Sequence, residues 1–207
     1  MGRTSDANER LMDAALELMW EESYGAVTID DICKRAEVKK GSFYYFFHSK
    51  AELAVAALER MWETDWQPRL DKVFSPSLEP VQRMTAYFEG IYASQAEMFA
   101  KTGKVLGCPV CSVGSEVSTQ EIDVSAKVRE IFARKRRYYE STIRDLIAAG
   151  AIESCDPAQK ALALVGLIEG MVSQARIMND PEVLKTLPAM GLGILQVKAP
   201  AMATAAR

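Results

Sequence analysis

Residues 28–50 read TIDDICKRAEVKKGSFYYFFHSK, and this stretch decides the fold. Thr28 with Asp31 three residues on has the form of a capping box, so a helix starts there. Ile29, Ile32, Cys33 and Ala36 give that helix one apolar face. Glu37 to Lys40 is short and polar, with Val38 as an apolar pin between two helices. Gly41-Ser42 opens a second short helix whose Phe43, Phe46 and Phe47 look inward. Ser49 to Glu52 repeats the cap signal and starts a third. Two short helices joined by a tight turn make a helix-turn-helix, a unit whose second helix enters the major groove of DNA.

The same residues resemble the DNA-binding domain of the TetR family of bacterial transcriptional regulators. The pattern T-I-D-D-I-x-x-x-A-x-V-x-K-G-S-F-Y-Y-F-F-x-S-K-x-E-L follows that family's signature nearly throughout. Tyr45 stands where many members carry His, and Cys33 where a small or apolar residue is usual. The motif covers about the first quarter of the chain; the remainder resembles the family in its helical layout. The resemblance implies double-stranded operator DNA as partner, a homodimer, and a small-molecule inducer. The DNA-contacting set is read as Thr28, Lys39, Lys40, Gly41, Ser42, Tyr44, Tyr45 and Lys50. Helix-start amides beside Thr28 and Lys50 are placed to meet phosphate.

Charge distribution agrees with this assignment although the net charge of −3 over 207 residues does not. Between Lys34 and Lys50, five basic side chains face Glu37 alone, a net of +4; between Asp6 and Glu22, six acids face Arg10, a net of −5. Local field governs phosphate contact, so the pattern is a basic recognition element on an acidic support. Hydrophobic residues at 49% and charged residues at 26% suit a chain that buries a core. No apolar run reads as a membrane span, and MGRTSDANER lacks the core of a signal peptide. A cytoplasmic protein with four free thiols and no membrane partner is expected.

Outward from the motif, the chain reads as all-α with about nine helices and no strand pattern. Residues 1–50 form a three-helix DNA-binding domain, and 51–207 a helical effector-binding and dimerisation domain. Asp6 with Glu9 caps the first helix, which Tyr24-Gly25 ends. A helix from Lys50 to about Trp66 follows, stopped or kinked by Pro68. Further helices are expected over Val81–Thr102, from Pro109 to near Ser118, over Asp123–Ala149, over Pro157–Met178 and on to about Val197, with a frayed tail from Lys198. The helix that starts at Asp156-Pro157 is apolar nearly all round from Ala161 to Met178. Gly166, Gly170 and Met171, with Leu192 from the last helix, mark the dimer interface the family resemblance implies; burial within one subunit is the alternative. Glu169 reads either as a rim residue or as a polar group facing a cavity.

The middle helices carry Met61, Trp62, Trp66, Tyr87, Phe88, Tyr92, Met98 and Phe99, a set that lines an apolar pocket or is plain core. The resemblance implies an effector pocket, assigned to Trp62, Trp66, Phe88, Tyr92, Phe99 and Arg176. In Gly107-Cys108-Pro109-Val110-Cys111, Cys108 is an N-cap and Cys111 sits in the first turn. A helix N-terminus favours thiolate, so this pair reads as a redox or electrophile sensor or as two small buried thiols. Some family members that respond to electrophiles or oxidants have a similar Gly-Cys and a partner Lys on a later helix; Arg176 is the nearest match here.

Enzyme readings fail on inventory. His48 is the only histidine, one Cys-x-x-Cys is a poor zinc site, and glycine-rich phosphate loops are absent, so no metal, cofactor or catalytic residue is assigned. Arg134–Arg137 reads as a solvated helix face. The sequence therefore reads as a DNA-binding regulator, a repressor released by a small-molecule or thiol-reactive inducer. The alternatives are a thiol oxidoreductase using Cys108 and Cys111, or a helical adaptor without DNA binding.

Overall fold

The computed structural model describes residues 2–117 and 119–198, with side chains from Asp6 onward. The described chain is all-helical: α1 (Gly2–Glu21), α2 (Ile29–Arg35), α3 (Lys40–Phe46), α4 (Lys50–Met61), α5 (Gln67–Val73), α6 (Pro80–Thr102), α7 (Pro109–Val117), α8 (Ile122–Ala148), α9 (Pro157–Met178) and α10 (Leu187–Leu195). A π-helical turn, Trp62–Trp66, joins α4 to α5 without a break, so these ten segments make nine helices among the described residues. A 3₁₀ turn, Pro181–Thr186, leads into α10. The expected end near Ser118 and most of the expected frayed tail lie outside the described residues.

Local signals account for most boundaries. The Thr28 hydroxyl accepts the Asp31 amide at 3.2 Å, and the Asp31 carboxylate accepts the Thr28 amide at 3.0 Å, the reciprocal box read from sequence. Asp156 caps α9 through the amides of Ala158 and Gln159. Gly103 closes α6 at φ 70°, a left-handed conformation that costs a residue with a side chain more. Between α2 and α3, Val38 N donates to Cys33 O at 2.9 Å and Glu37 N to Lys34 O at 3.2 Å. This is a Schellman motif with Glu37 at φ 55°, where glycine is the favoured residue.

Three features depart from the sequence reading. α1 starts at Gly2, so Asp6 and Glu9 lie inside it, and it ends at Glu21 before Tyr24-Gly25. Pro68 neither stops nor breaks the rod. It has no N–H to offer the fourth carbonyl back, and the wider π turn immediately before it absorbs the steric conflict. α9 is, by length and a mean hydropathy of 1.4, apolar enough to cross a membrane, contrary to expectation. In this fold its inner face is core: Ala161, Leu164, Ile168, Val172 and Ala175 are buried.

The α4–α5 rod is the spine. α4 packs against α1 on one side and α8 on another, which joins the first three helices to the rest. Phe43 is fully buried and holds α3 against this core, a burial that contributes roughly 1.5–3 kcal/mol. Acidic side chains of α1 are taken up locally: Arg35 reaches Glu17 and Glu21, each at 3.3 Å, and Arg60 reaches Asp13 at 3.2 Å.

Candidate functional site

α3 presents its outer face to solvent. Tyr44 and Tyr45 are 51% and 75% exposed, and Lys39 and Gly41 are exposed beside a half-buried Ser42. Nothing lies within 4 Å of where a Gly41 Cβ would stand, so this face is open for close approach. Lys40 pairs with Asp30 at 2.8 Å, but both groups are solvated and such a pair is weak. Thr28 is committed to its cap. Lys50 departs from expectation. Its ammonium donates to the carbonyls of Tyr24 at 2.8 Å and Val27 at 2.9 Å and lies over the Tyr24 ring. The side chain pins the start of α4 to the α1–α2 loop, which occupies two of its three N–H donors.

A second feature lies beside the rod. A cavity of about 370 Å³ is walled by Met61, Trp66, Leu70 and Val73 of the rod, by Tyr87, Ile91 and Met98 of α6, and by Trp20 and Leu16 of α1. Gly107, Cys108 and Pro109 contribute the loop before α7, and Lys135, Ile168 and Glu169 the far wall. Its size is at the lower end of small-molecule sites, about 300–1,000 Å³. Of the apolar set read from sequence as pocket or core, Met61, Trp66, Tyr87 and Met98 line it; of the six residues assigned to the effector pocket, Trp66 does.

The other assignments have different surroundings. Trp62 is buried and borders a separate open cleft of about 720 Å³ with Arg134 and Arg137. Phe88 is fully buried against Gly191, where a Cβ would stand 2.4 Å from its ring. Tyr92 donates its hydroxyl to Glu182 at 2.9 Å, and Phe99 is 36% exposed. Arg176 donates to the Ser112 hydroxyl and to the Trp20 carbonyl. These residues share the helices of the cavity but sit on other faces of them.

The polar centre of the cavity is a buried ion pair. Lys135 Nζ lies 3.0 Å from Glu169 Oε1 and 5.3 Å from the Trp66 ring centroid. The Tyr87 and Tyr139 hydroxyls are hydrogen-bonded to each other at 2.5 Å. Burial alone would discharge Lys135; the surrounding oxygens of Tyr139, Tyr87 and Glu169 outweigh it and hold its pKa above the ordinary lysine value. Glu169 Oε2 is out of contact with solvent and has no hydrogen-bond partner among the described residues. Glu169 thus resolves as a cavity residue, while Lys135, in a run read as a solvated face, is only 7% exposed.

The cavity wall and the helix-turn-helix are physically joined. Gln95 binds Gly107 at both ends, accepting its amide at 3.0 Å and donating to its carbonyl at 3.2 Å. Trp20 Nε1 donates to the carbonyls of Leu106 at 2.9 Å and Gly107 at 3.2 Å. The Glu116 carboxylate on α7 accepts the amides of Tyr24 at 2.8 Å and Gly25 at 2.7 Å. A Cβ on residue 25 would come within 2.7 Å of that carboxylate, so glycine serves here by close approach and not by ending a helix.

Comparison with known proteins places this architecture. Residues 11–57 match the family model for bacterial regulatory proteins of the tetR family, and residues 80–189 match the tetracyclin repressor-like C-terminal domain. The chain is 31% identical over 181 residues to the transcriptional regulator AcuR of Cereibacter sphaeroides, covering 86% of this chain and 80% of that protein. The TetR family is shown.

The chain belongs to it. A second relative is the HTH-type transcriptional repressor NemR of Escherichia coli strain K12, 27% identical over 185 residues, with 87% and 89% of the two chains covered. Among solved structures, the regulatory protein TetR from Rhodobacter sphaeroides superposes with a TM-score of 0.79 at 29% identity, covering 89% of this chain and 96% of that one. This TetR-family chain is therefore a DNA-binding transcriptional regulator with an N-terminal helix-turn-helix.

Within that frame, the two thiols have surroundings that the sequence did not reveal. Cys108 does cap α7, its sulfur accepting the Cys111 amide at 3.3 Å. Burial against the cavity wall, then the nearby Glu169 charge, push its pKa well above the ordinary thiol value; Lys135 only partly opposes them. Cys111 is shifted upward by the same two causes. Desolvation beside a carboxylate thus works against the helix-terminal amides and disfavours the thiolate form at both positions.

Met171, read from sequence as interface, is 8% exposed and belongs to the core. Gly166 and Gly170 are exposed with nothing within 4 Å of a Cβ at either, and Leu192 is half-buried. With exposed Leu162 and Ile177 they form an uncovered apolar stripe along α9. Gln95, Trp20, Lys135 and Glu116 were not singled out from sequence. For Lys135 a signal existed: it lies four residues from both Ile131 and Tyr139, inside the buried stripe of α8.

Proposed function

We propose that the protein is a homodimeric, cytoplasmic repressor without catalytic turnover, and that a small molecule in the 370 Å³ cavity releases it from operator DNA. The observation that carries this reading is shared construction: the cavity's walls include the α4–α5 rod, α1 and the Gly107 loop, which also hold the helix-turn-helix. A ligand that favours one placement of these walls favours one spacing of the two recognition helices in a dimer. We keep 1–50 as the DNA-binding unit and 51–207 as the effector and dimerisation unit. Lys39, Ser42, Tyr44 and Tyr45 are the contacts we assign to DNA, with Lys40 lent from its weak surface pair. The α9 stripe is the assigned dimer face. NemR's description as a repressor supports the sign of regulation.

Noncovalent binding is preferred over a thiol signal because burial and Glu169 disfavour the Cys108 thiolate. The same shifts weigh against a thiol oxidoreductase. Footprinting on genomic fragments selected by the protein tests the proposal. A pseudo-palindrome is expected, with half-sites one turn, about 10–10.5 base pairs, or a multiple apart. A single unpaired half-site, together with a monomer in sedimentation, would remove the dimeric reading.

A further inference from the structure

Glu169 is a buried carboxylate used at one oxygen only. Lys135 occupies Oε1 at 3.0 Å, while Oε2 is shielded from water and unpartnered among the described residues. An ionised buried oxygen without a donor is costly, and a bound molecule that supplies one recovers that cost. Several other polar groups of the cavity already have partners. Gln95 spends both ends on Gly107, the two tyrosine hydroxyls bind each other, and Asp65 pairs with Arg69 at the rim. The rest of the wall is apolar and aromatic.

We infer that the cavity selects neutral, largely apolar molecules carrying one hydroxyl or N–H group, which donates to Glu169 Oε2. Charge excludes the two other ligand classes. An anion would meet the free carboxylate oxygen of Glu169 at close range and lose its own hydration to reach Lys135, whose charge Glu169 already offsets. A cation would bring a second positive charge beside buried Lys135 and lose its own hydration. A neutral donor adds no charge and completes the pair. This inference rests on the cavity being the effector site.

Four near-isosteres test it: 2-phenylethanol, propylbenzene, phenethylamine and phenylacetate. Binding is read by fluorescence of Trp20 and Trp66, which line the cavity. 2-Phenylethanol should bind about tenfold more tightly than propylbenzene, the value of a hydrogen bond to a charged acceptor, and both ions more weakly than the alcohol. The double variant Lys135→Met/Glu169→Met replaces the pair by apolar volume and should abolish the alcohol's advantage. Glu169→Gln, which keeps size and a carbonyl for Lys135, should reduce it. If propylbenzene or an ion binds the unaltered protein best, or the alcohol's advantage survives in the folded variants, the ligand class is wrong while the cavity stands. If no probe perturbs the tryptophans, the effector reading falls and this inference with it.

Discussion

The helix-turn-helix and the cavity hold their charges in opposite ways. Around α2 and α3, Arg35 with Glu17 and Glu21, and Lys40 with Asp30, form ion pairs open to water. In the cavity, Lys135 and Glu169 form one pair that is nearly dry. Water makes the first kind cheap to break, so a surface lysine can exchange an aspartate for a phosphate at little cost. The second kind is hard to break but sensitive to what enters beside it. One chain thus carries a charge pattern suited to a polyanion at one end of its rod and one suited to a small neutral donor farther along.

The sharpest way to break this comparison is to remove one member from each kind of pair. Glu169→Ala strands a buried ammonium and is expected to cost about 3–5 kcal/mol, whereas Arg35→Ala should cost no more than about 1 kcal/mol. Urea unfolding of the two variants decides it; equal losses would erase the distinction. Next in size is Lys50→Ala. Loss of two charged hydrogen bonds to Tyr24 and Val27 should destabilise by roughly 1.5–3 kcal/mol. The salt dependence of DNA binding should stay unchanged; a flatter slope would return Lys50 to the phosphate contacts.

Lys39→Ala sharpens the other side. Its exposed ammonium is free to meet phosphate, so binding should weaken on all sequences and the salt slope should fall by about 1, with unfolding midpoints unmoved. The smallest effect is expected at the turn between α2 and α3. Glu37 sits at φ 55°, so Glu37→Gly should relieve left-handed strain and stabilise by up to about 1 kcal/mol, read as a raised thermal midpoint. A loss there would mean that the Glu37 side chain contributes more than its backbone strain costs.

The sequence by itself determined the helical class, the helix-turn-helix and most helix ends. Those depend on residues within one or two turns of each other: Thr28 with Asp31, Asp156 with the amides of Ala158 and Gln159, Gly103 after Phe99. It determined too that α9 is apolar nearly all round; which part of it faces outward came from the packing. What only the tertiary structure decided is which way polar groups and aromatic rings point once helices pack. Lys135 and Glu169 are 34 residues apart, Trp20 and Leu106 are 86 apart, and Tyr24 and Glu116 are 92 apart. No local rule pairs them. Phe88 and Tyr87 are adjacent, yet one packs on Gly191 and the other lines the cavity. The Cys108 pKa turned the same way: local geometry supplies a helix N-terminus that lowers it, but burial beside Glu169, set by the packing of α8 and α9, raises it further.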